Sequence, residues 1–253
     1  MDKTQQGHIE SSVSNGVGTI EFFHPSHNSL PGKLLRSLEQ AIYDMDKNDD
    51  ALIIVLKAAG DRTFCAGASF AELASIPNET VGKEFFMGFA NVINAIRKIS
   101  KIVIGRVHGK AVGGGVGLAA ACDYCMATKY ASVKLSELAV GIGPFVIGPA
   151  VERKVGISAY SHMSLNATEF RTAEWAREKG LFTEVFDSTK QLDEYIEYLS
   201  EKLIKSNPEA LSLLKRVFWE GTDDWDTILE ERAEMSGRLV LSDFSKKAIG
   251  RFA

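Results

Sequence analysis

Four of the five positions from 113 to 117 are glycine, Gly113, Gly114, Gly115 and Gly117, and the run stands between an apolar, strand-like stretch at 102–107 and an alanine-rich stretch that reads as a helix. Glycine at a strand-to-helix turn strips side chains from the main chain, so the backbone can approach a ligand closely. The free N–H groups at the helix start then face that ligand with the helix dipole behind them. Such a turn holds a phosphate or an oxyanion. A second small-residue loop, Phe64-Cys65-Ala66-Gly67-Ala68-Ser69-Phe70, follows another apolar run at 52–56. If the two turns converge, they aim a pair of backbone donors at one oxygen, an oxyanion hole in which each donor is worth roughly 3 to 4 kcal/mol. Dinucleotide binding is the competing reading: Gly113 and Gly115 supply the first two glycines of its fingerprint, and Glu137 lies about twenty residues on. Leu118 stands where the third glycine belongs, however, and that reading leaves the loop at 64–69 without a role.

At 253 residues, 45% hydrophobic and 25% charged, the chain can bury one large core, with or without an appendage. The formal net charge is −4 and the Lys and Arg residues are scattered, so the basic footprint of a nucleic-acid binder is missing. The N-terminal stretch lacks a basic start followed by an apolar run, and no later run is long enough to span a bilayer. The expectation is a soluble, cytoplasmic protein with neither nucleic acid nor membrane as partner. Cys122-Asp123-Tyr124-Cys125 has redox spacing, but it falls on an expected strand and leaves only Cys65 over, so buried thiols are expected rather than a redox or zinc centre. His8, His24, His27, His108 and His162 show no ligand spacing, and no metal site is expected.

Hydrophobic periodicity predicts strands at 17–22, 52–57, 102–107, 124–128, 133–135 and 182–186. It predicts amphipathic helices at 33–48 and 80–99, the second bearing Phe85, Phe86 and Phe89. Strands alternating with helices indicate an α/β core. From Thr189 onward strand signals stop and four amphipathic helices follow, whose apolar residues, Leu211, Leu214, Val217, Phe218 and Trp219 among them, are expected to dock on the core or on a neighbouring subunit.

Asp61-Arg62-Thr63-Phe64-Cys65-Ala66-Gly67-Ala68, then Val107-His108-Gly109-Lys110-Ala111-Val112-Gly113-Gly114-Gly115, then Ala121-Cys122-Asp123 resemble, in order and spacing, the enoyl-CoA hydratase/isomerase or crotonase superfamily. The resemblance implies an α/β fold, a crotonase-like spiral of ββα units over residues 1–190 that carries the acyl-CoA site, and a C-terminal α-helical trimerisation region over 191–253. It also implies a homotrimer or homohexamer that takes an acyl-CoA thioester, with coenzyme A as part of the substrate and no separate cofactor. The oxyanion hole maps to the N–H groups of Ala68 and Gly114.

Hydratases of that family place two glutamates beside the acyl chain. At the first position this chain has Gly117; at the second, Ser136-Glu137 leaves Glu137 as the acid/base candidate. Without the family match, Glu137 would read as a solvated residue at a strand end. Leu135, Leu138, Val140, Ile142 and Phe145 are the apolar neighbours expected to lift its pKa toward neutrality. A finer likeness, the 113–123 and 135–144 segments continued by Ile147-Gly148-Pro149, is to bacterial methylglutaconyl-CoA hydratase relatives, which also have glycine at the position of Gly117. Hydration with a single glutamate is the leading expectation; a Δ3-Δ2-enoyl-CoA isomerase and an inactive acyl-CoA-binding protein are the alternatives. Gly117 is expected to leave room for a branched or carboxylated acyl group, and Phe145 to fill part of it. By the same resemblance Pro25, Ser26 and His27 meet the CoA moiety, while Ala66, Ser69, Phe70, Gly113, Ser136 and Pro144 complete the substrate-binding set.

Overall fold

The computed structural model describes residues 7–251. Apolar runs rich in Ile and Val make strands that are covered on both faces. Two of them, β3 (Ile53–Ala58) and β5 (Val103–Val107), lie parallel with β7 (Tyr124–Thr128) in the middle of a six-stranded sheet. On one side β2 (Val17–Phe23) pairs parallel with β3 and antiparallel with β1 (His8–Ser14); on the other, β10 (Glu184–Phe186) adds to β7. A second sheet contains β4 (Thr63–Cys65), β6 (Lys110–Val112), β8 (Ser132–Lys134) and β9 (Arg171–Thr172). Successive pairs, β3 and β4, β5 and β6, β7 and β8, each send their first strand to the large sheet and their second to the small one.

A helix follows each pair: α1 (Gly32–Lys47) after β1 and β2, α2 (Phe70–Ser75) and α3 (Glu79–Lys98) after β4, α4 (Gly114–Ala121) after β6, and α5 (Gly148–Leu165) after β8. This repeated ββα winding is the spiral expected from the motifs. Beyond α6 (Ala173–Glu178), the tail contains the four expected helices, α7 (Thr189–Ile204), α8 (Pro208–Phe218), α9 (Trp225–Leu239) and α10 (Asp243–Ile249). All four touch the chain's own core, α10 by burying Ala248 and Ile249 in it. Leu192 and Ile196 of α7 cover Ile53, Val55, Ile104 and Met126 on the outer face of the large sheet. Helix α9 crosses α3 at backbone distance, since a methyl on Gly82 would meet the Gly237 carbonyl at 2.7 Å, and Lys83 ties the crossing to Glu230 and Glu234. Helix α8 buries Lys215 but leaves Leu213, Leu214, Val217 and Phe218 exposed.

The strands that the periodicity missed have a common cause: their pairing is carried by backbone and turn chemistry. Strand β1 reads HIESSVS, too polar for a period-two signal, yet it pairs along its whole length with β2 through a two-residue hairpin. Asn15 and Gly16 close that hairpin with φ of 50° and 80°, the backbone that such turns require. Strands β4 and β6 have three residues each and lie inside the motifs themselves.

Candidate active site

The loop after β4 is held from the N-terminal side. The Leu30 N–H donates to the Gly67 carbonyl at 2.8 Å, the Ala66 N–H donates to the His27 carbonyl at 3.2 Å, and Leu30 bridges to Ala68. Buried Asn28 fixes the turn that supplies these partners, its Nδ2 donating to the carbonyls of Ala59 and Thr63 at 2.8 Å. The second loop leaves β6 through Gly113, whose φ of 53° and ψ of −119° lie outside the regions open to other residues. Its N–H donates to the Lys134 carbonyl, and its own carbonyl accepts from Val116 and Gly117 to start α4. The two loops touch: a methyl on Gly67 would lie 3.3 Å from the Gly114 nitrogen. Among the described residues, neither the Ala68 nor the Gly114 amide donates to a carbonyl of the chain, and a helix's first N–H has no carbonyl within it to reach. Both remain available to an oxygen in the adjoining cavity, which Ala68 and Gly114 line.

Glu137 lies across that cavity. It opens a single 3-10 turn (Glu137–Val140) rather than ending a strand, and its carboxylate packs on Gly113, where a methyl would meet Oε1 at 2.8 Å. Its Oε2 is buried without a hydrogen-bond partner. Desolvation therefore pushes the carboxyl up from 4.5 to about 7, against the backbone N–H groups of Glu137 and Ser136, which favour the ionised form. The apolar neighbours differ in part from those expected. Leu135, Val140 and Ile142 are buried, but Leu138 is 46% exposed and turns away. In its stead Phe86 and Phe89 of α3, Leu73 of α2, and Val146 and Ile147 enclose the site, with Ser236 reaching in from α9. The apolar face of α3 was legible, whereas nothing in the pattern around Ser236 marks it.

Of the other expected site residues, Ala66, Phe70, Gly113, Ser136, Pro144 and Phe145 line the cavity. Gly117 does not. It is buried in α4, and a methyl there would lie 2.4 Å from Cγ2 of Ile147. The space expected to admit a branched or carboxylated group is therefore already filled by Ile147. Ser69 is a helix cap: its Oγ accepts from the Glu72 N–H at the start of α2. Pro25, Ser26 and His27 form an exposed turn outside this cavity. His27 instead lines a neighbouring cavity of about 600 Å³, which shares Ala66 with the first and also contains Arg62, Lys110 and Tyr130.

All three thiols are buried, and burial pushes Cys65 and Cys125 up to about 12 and Cys122 well above its usual range, far from the thiolate that redox or metal chemistry requires. Among the described residues no three His, Cys, Asp or Glu side chains are grouped to hold a metal, and no helix is long and apolar enough to cross a membrane.

This geometry has relatives. The chain is 27% identical to the peroxisomal Delta(3,5)-Delta(2,4)-dienoyl-CoA isomerase of Arabidopsis thaliana, over 95% of this chain and 91% of that one. It is also 27% identical to the short-chain-enoyl-CoA hydratase of Clostridium acetobutylicum, over 89% and 86%. The crystal structure of an enoyl-CoA hydratase from Mycobacterium avium superposes with a TM-score of 0.86 at 26% identity, covering 100% of this chain and 96% of that one. The family model for enoyl-CoA hydratase/isomerase matches residues 12–253, and the chain belongs to that family.

Proposed function

We propose that the chain hydrates 2-enoyl-CoA thioesters with Glu137 as its one acid/base group. The observation that carries this reading is a carboxyl poised near neutrality and packed on Gly113, beside two backbone amides that the fold leaves unspent. The thioester oxygen accepts from the Ala68 and Gly114 N–H groups. Ionised Glu137 takes a proton from water as the water oxygen bonds to the β-carbon, and negative charge moves onto the thioester oxygen, where the paired donors hold it. The carboxylic acid so formed returns its proton to the α-carbon, and the enolate collapses to the 3-hydroxyacyl thioester. The CoA arm leaves past Ala66 into the neighbouring cavity, where Arg62 and Lys110, with Asp61 also in the lining, offer cations to its phosphates, and His27 brings the exposed turn of Pro25 and Ser26 to the cavity wall. Coenzyme A enters as part of the substrate, and no further cofactor takes part.

A Δ3-Δ2-enoyl-CoA isomerase is the second reading, favoured by the lack of a second carboxylate among the side chains of the cavity, because a single base suits removal of a proton and its return two carbons away. Supplying a 2-enoyl-CoA, a 3-enoyl-CoA and 3-methylglutaconyl-CoA separately, and following product mass with conjugated-thioester absorbance, separates them. Hydration adds the mass of water and isomerisation adds none. Tight binding with no product from any of the three would make the chain an acyl-CoA-binding protein.

Glu137 must be ionised to accept the first proton, so kcat/KM for hydration is expected to rise with pH through an apparent pKa near 7. A profile without that limb between pH 5.5 and 8.5 would remove Glu137 from the role.

The exposed apolar face of α8, formed by Leu213, Leu214, Val217 and Phe218, buries against another copy of the chain in a homotrimer or homohexamer. Val217→Asp is expected to lower the mass measured by light scattering after gel filtration; a variant with unchanged mass would place the interface elsewhere.

A further inference from the structure

The acyl cavity is small and its walls are stiff. Its volume is about 60 Å³, against about 600 Å³ for the neighbouring cavity lined by His27, Arg62 and Lys110. Rings press directly on glycine backbone at two places: a methyl on Gly114 would lie 2.2 Å from the Phe89 ring, and one on Gly143 would lie 2.2 Å from the Phe145 ring. Ile147 fills the space beyond Gly117. The turn that carries Phe145 and Ile147 is held from behind, where the Tyr160 hydroxyl donates to the Pro144 carbonyl at 3.1 Å and Arg232 Nη1 donates to the Phe145 carbonyl at 3.3 Å. The second bond engages Arg232, which is not part of the cavity lining. The lining itself contains one ionisable side chain, Glu137, and no Lys, Arg or His.

We infer that the cavity selects short, uncharged acyl thioesters, that Phe145 and Ile147 set the length limit, and that acyl groups ending in a carboxylate are excluded. This rests on the acyl-CoA reading of the site and narrows it, against the methylglutaconyl likeness of the motifs. Additional methylenes must displace a ring already seated on backbone, and well-packed walls resist overpacking. A terminal carboxylate would be buried without a cation and beside Glu137, the placement that an ionised group tolerates least.

Binding of saturated, unreactive thioesters tests this independently of turnover. Butyryl-CoA, octanoyl-CoA and glutaryl-CoA are titrated calorimetrically into the full chain and into Phe145→Ala and the milder Phe145→Leu. In the wild type, butyryl-CoA is expected to bind at least about tenfold more tightly than either of the others. Phe145→Ala is expected to bring octanoyl-CoA about tenfold closer to butyryl-CoA, Phe145→Leu less so, while glutaryl-CoA stays weak in both because the missing cation is not restored. Equal affinities in the wild type, or an octanoyl affinity that moves in neither variant, would overturn the inference. Selective binding without product from any enoyl-CoA would sink the hydration reading and leave the inference standing; equal kcat/KM at every chain length would do the reverse. Failure of all three esters to bind would defeat both.

Discussion

Replacing Glu137 with Gln is expected to lower kcat for hydration by about 10² to 10⁴, the range that general acid–base groups supply, with thioester affinity largely kept. The amide is nearly the same size and still packs on Gly113, but it cannot accept a proton from water. The same variant is not expected to be a folding defect. Burial raises the folded carboxyl from 4.5 to about 7, so the native state holds its proton more tightly than the unfolded chain does. For an acid shifted this way, the stabilising contribution of the protonated form is complete below pH 4.5 and is lost as pH rises through 7. By pH 8 the wild type bears the cost of an ionised, desolvated carboxylate, roughly 3 kcal/mol for a shift of this size. Glu137→Gln removes that cost, so its stability toward urea should match or exceed the wild type at pH 8 and lose this advantage toward pH 5. A variant that keeps more than a tenth of the wild-type rate would end the assignment; one that unfolds more easily at pH 8 would end the account of why the carboxyl is poised.

The division between what the sequence made legible and what it did not follows from where the information is stored. Periodicity is a property of one segment, and it located β2, β3, β5, β7, α1, α3 and the four tail helices because each carries a regular apolar pattern, buried or, in α8, exposed. The paired loops were legible for a related reason: glycine and alanine at 66–68 and 113–117 are a local requirement for bringing amides together. Strand β1 was not, because its hairpin depends on the positive φ of Asn15 and Gly16 and not on its own polar residues. The shape of the acyl cavity was least legible of all. It depends on Phe89 meeting Gly114, Ile147 meeting Gly117 and Ser236 arriving from α9, contacts between segments far apart in the chain. Reading Gly117 alone gives an opening; reading it with Ile147 gives a wall.

Asp123 belongs to the motif that pointed to the family, and its role is to fasten the tail to the core. It follows the last turn of α4, and its side chain, 2% exposed, accepts from Lys215 Nζ at 2.5 Å and the Val103 N–H at 2.8 Å on one oxygen, and from the Trp219 indole at 2.8 Å on the other. Lys215 of α8 is 1% exposed, and burial lowers its pKa while Asp123 opposes the shift. Lys154 adds a bond to the Asp123 carbonyl at 3.0 Å. Asp123→Ala leaves a buried ammonium and two buried N–H donors without their acceptor. It is expected to cost about 3 to 5 kcal/mol in urea unfolding at fixed protein concentration, the range for breaking one side of a buried pair. Lys215→Met should cost less, because the carboxylate keeps the Val103 and Trp219 donors and the methionine refills the apolar volume. In Asp123→Asn/Lys215→Met the charges leave together, so the double variant should lose less than the sum of Asp123→Asn and Lys215→Met measured singly by at least about 1 kcal/mol, the coupling expected of groups in direct contact. Strict additivity would mean that the pair does not act as a unit, and a loss below about 1 kcal/mol for Asp123→Ala would mean that the tail is held by the apolar contacts of α7, α9 and α10.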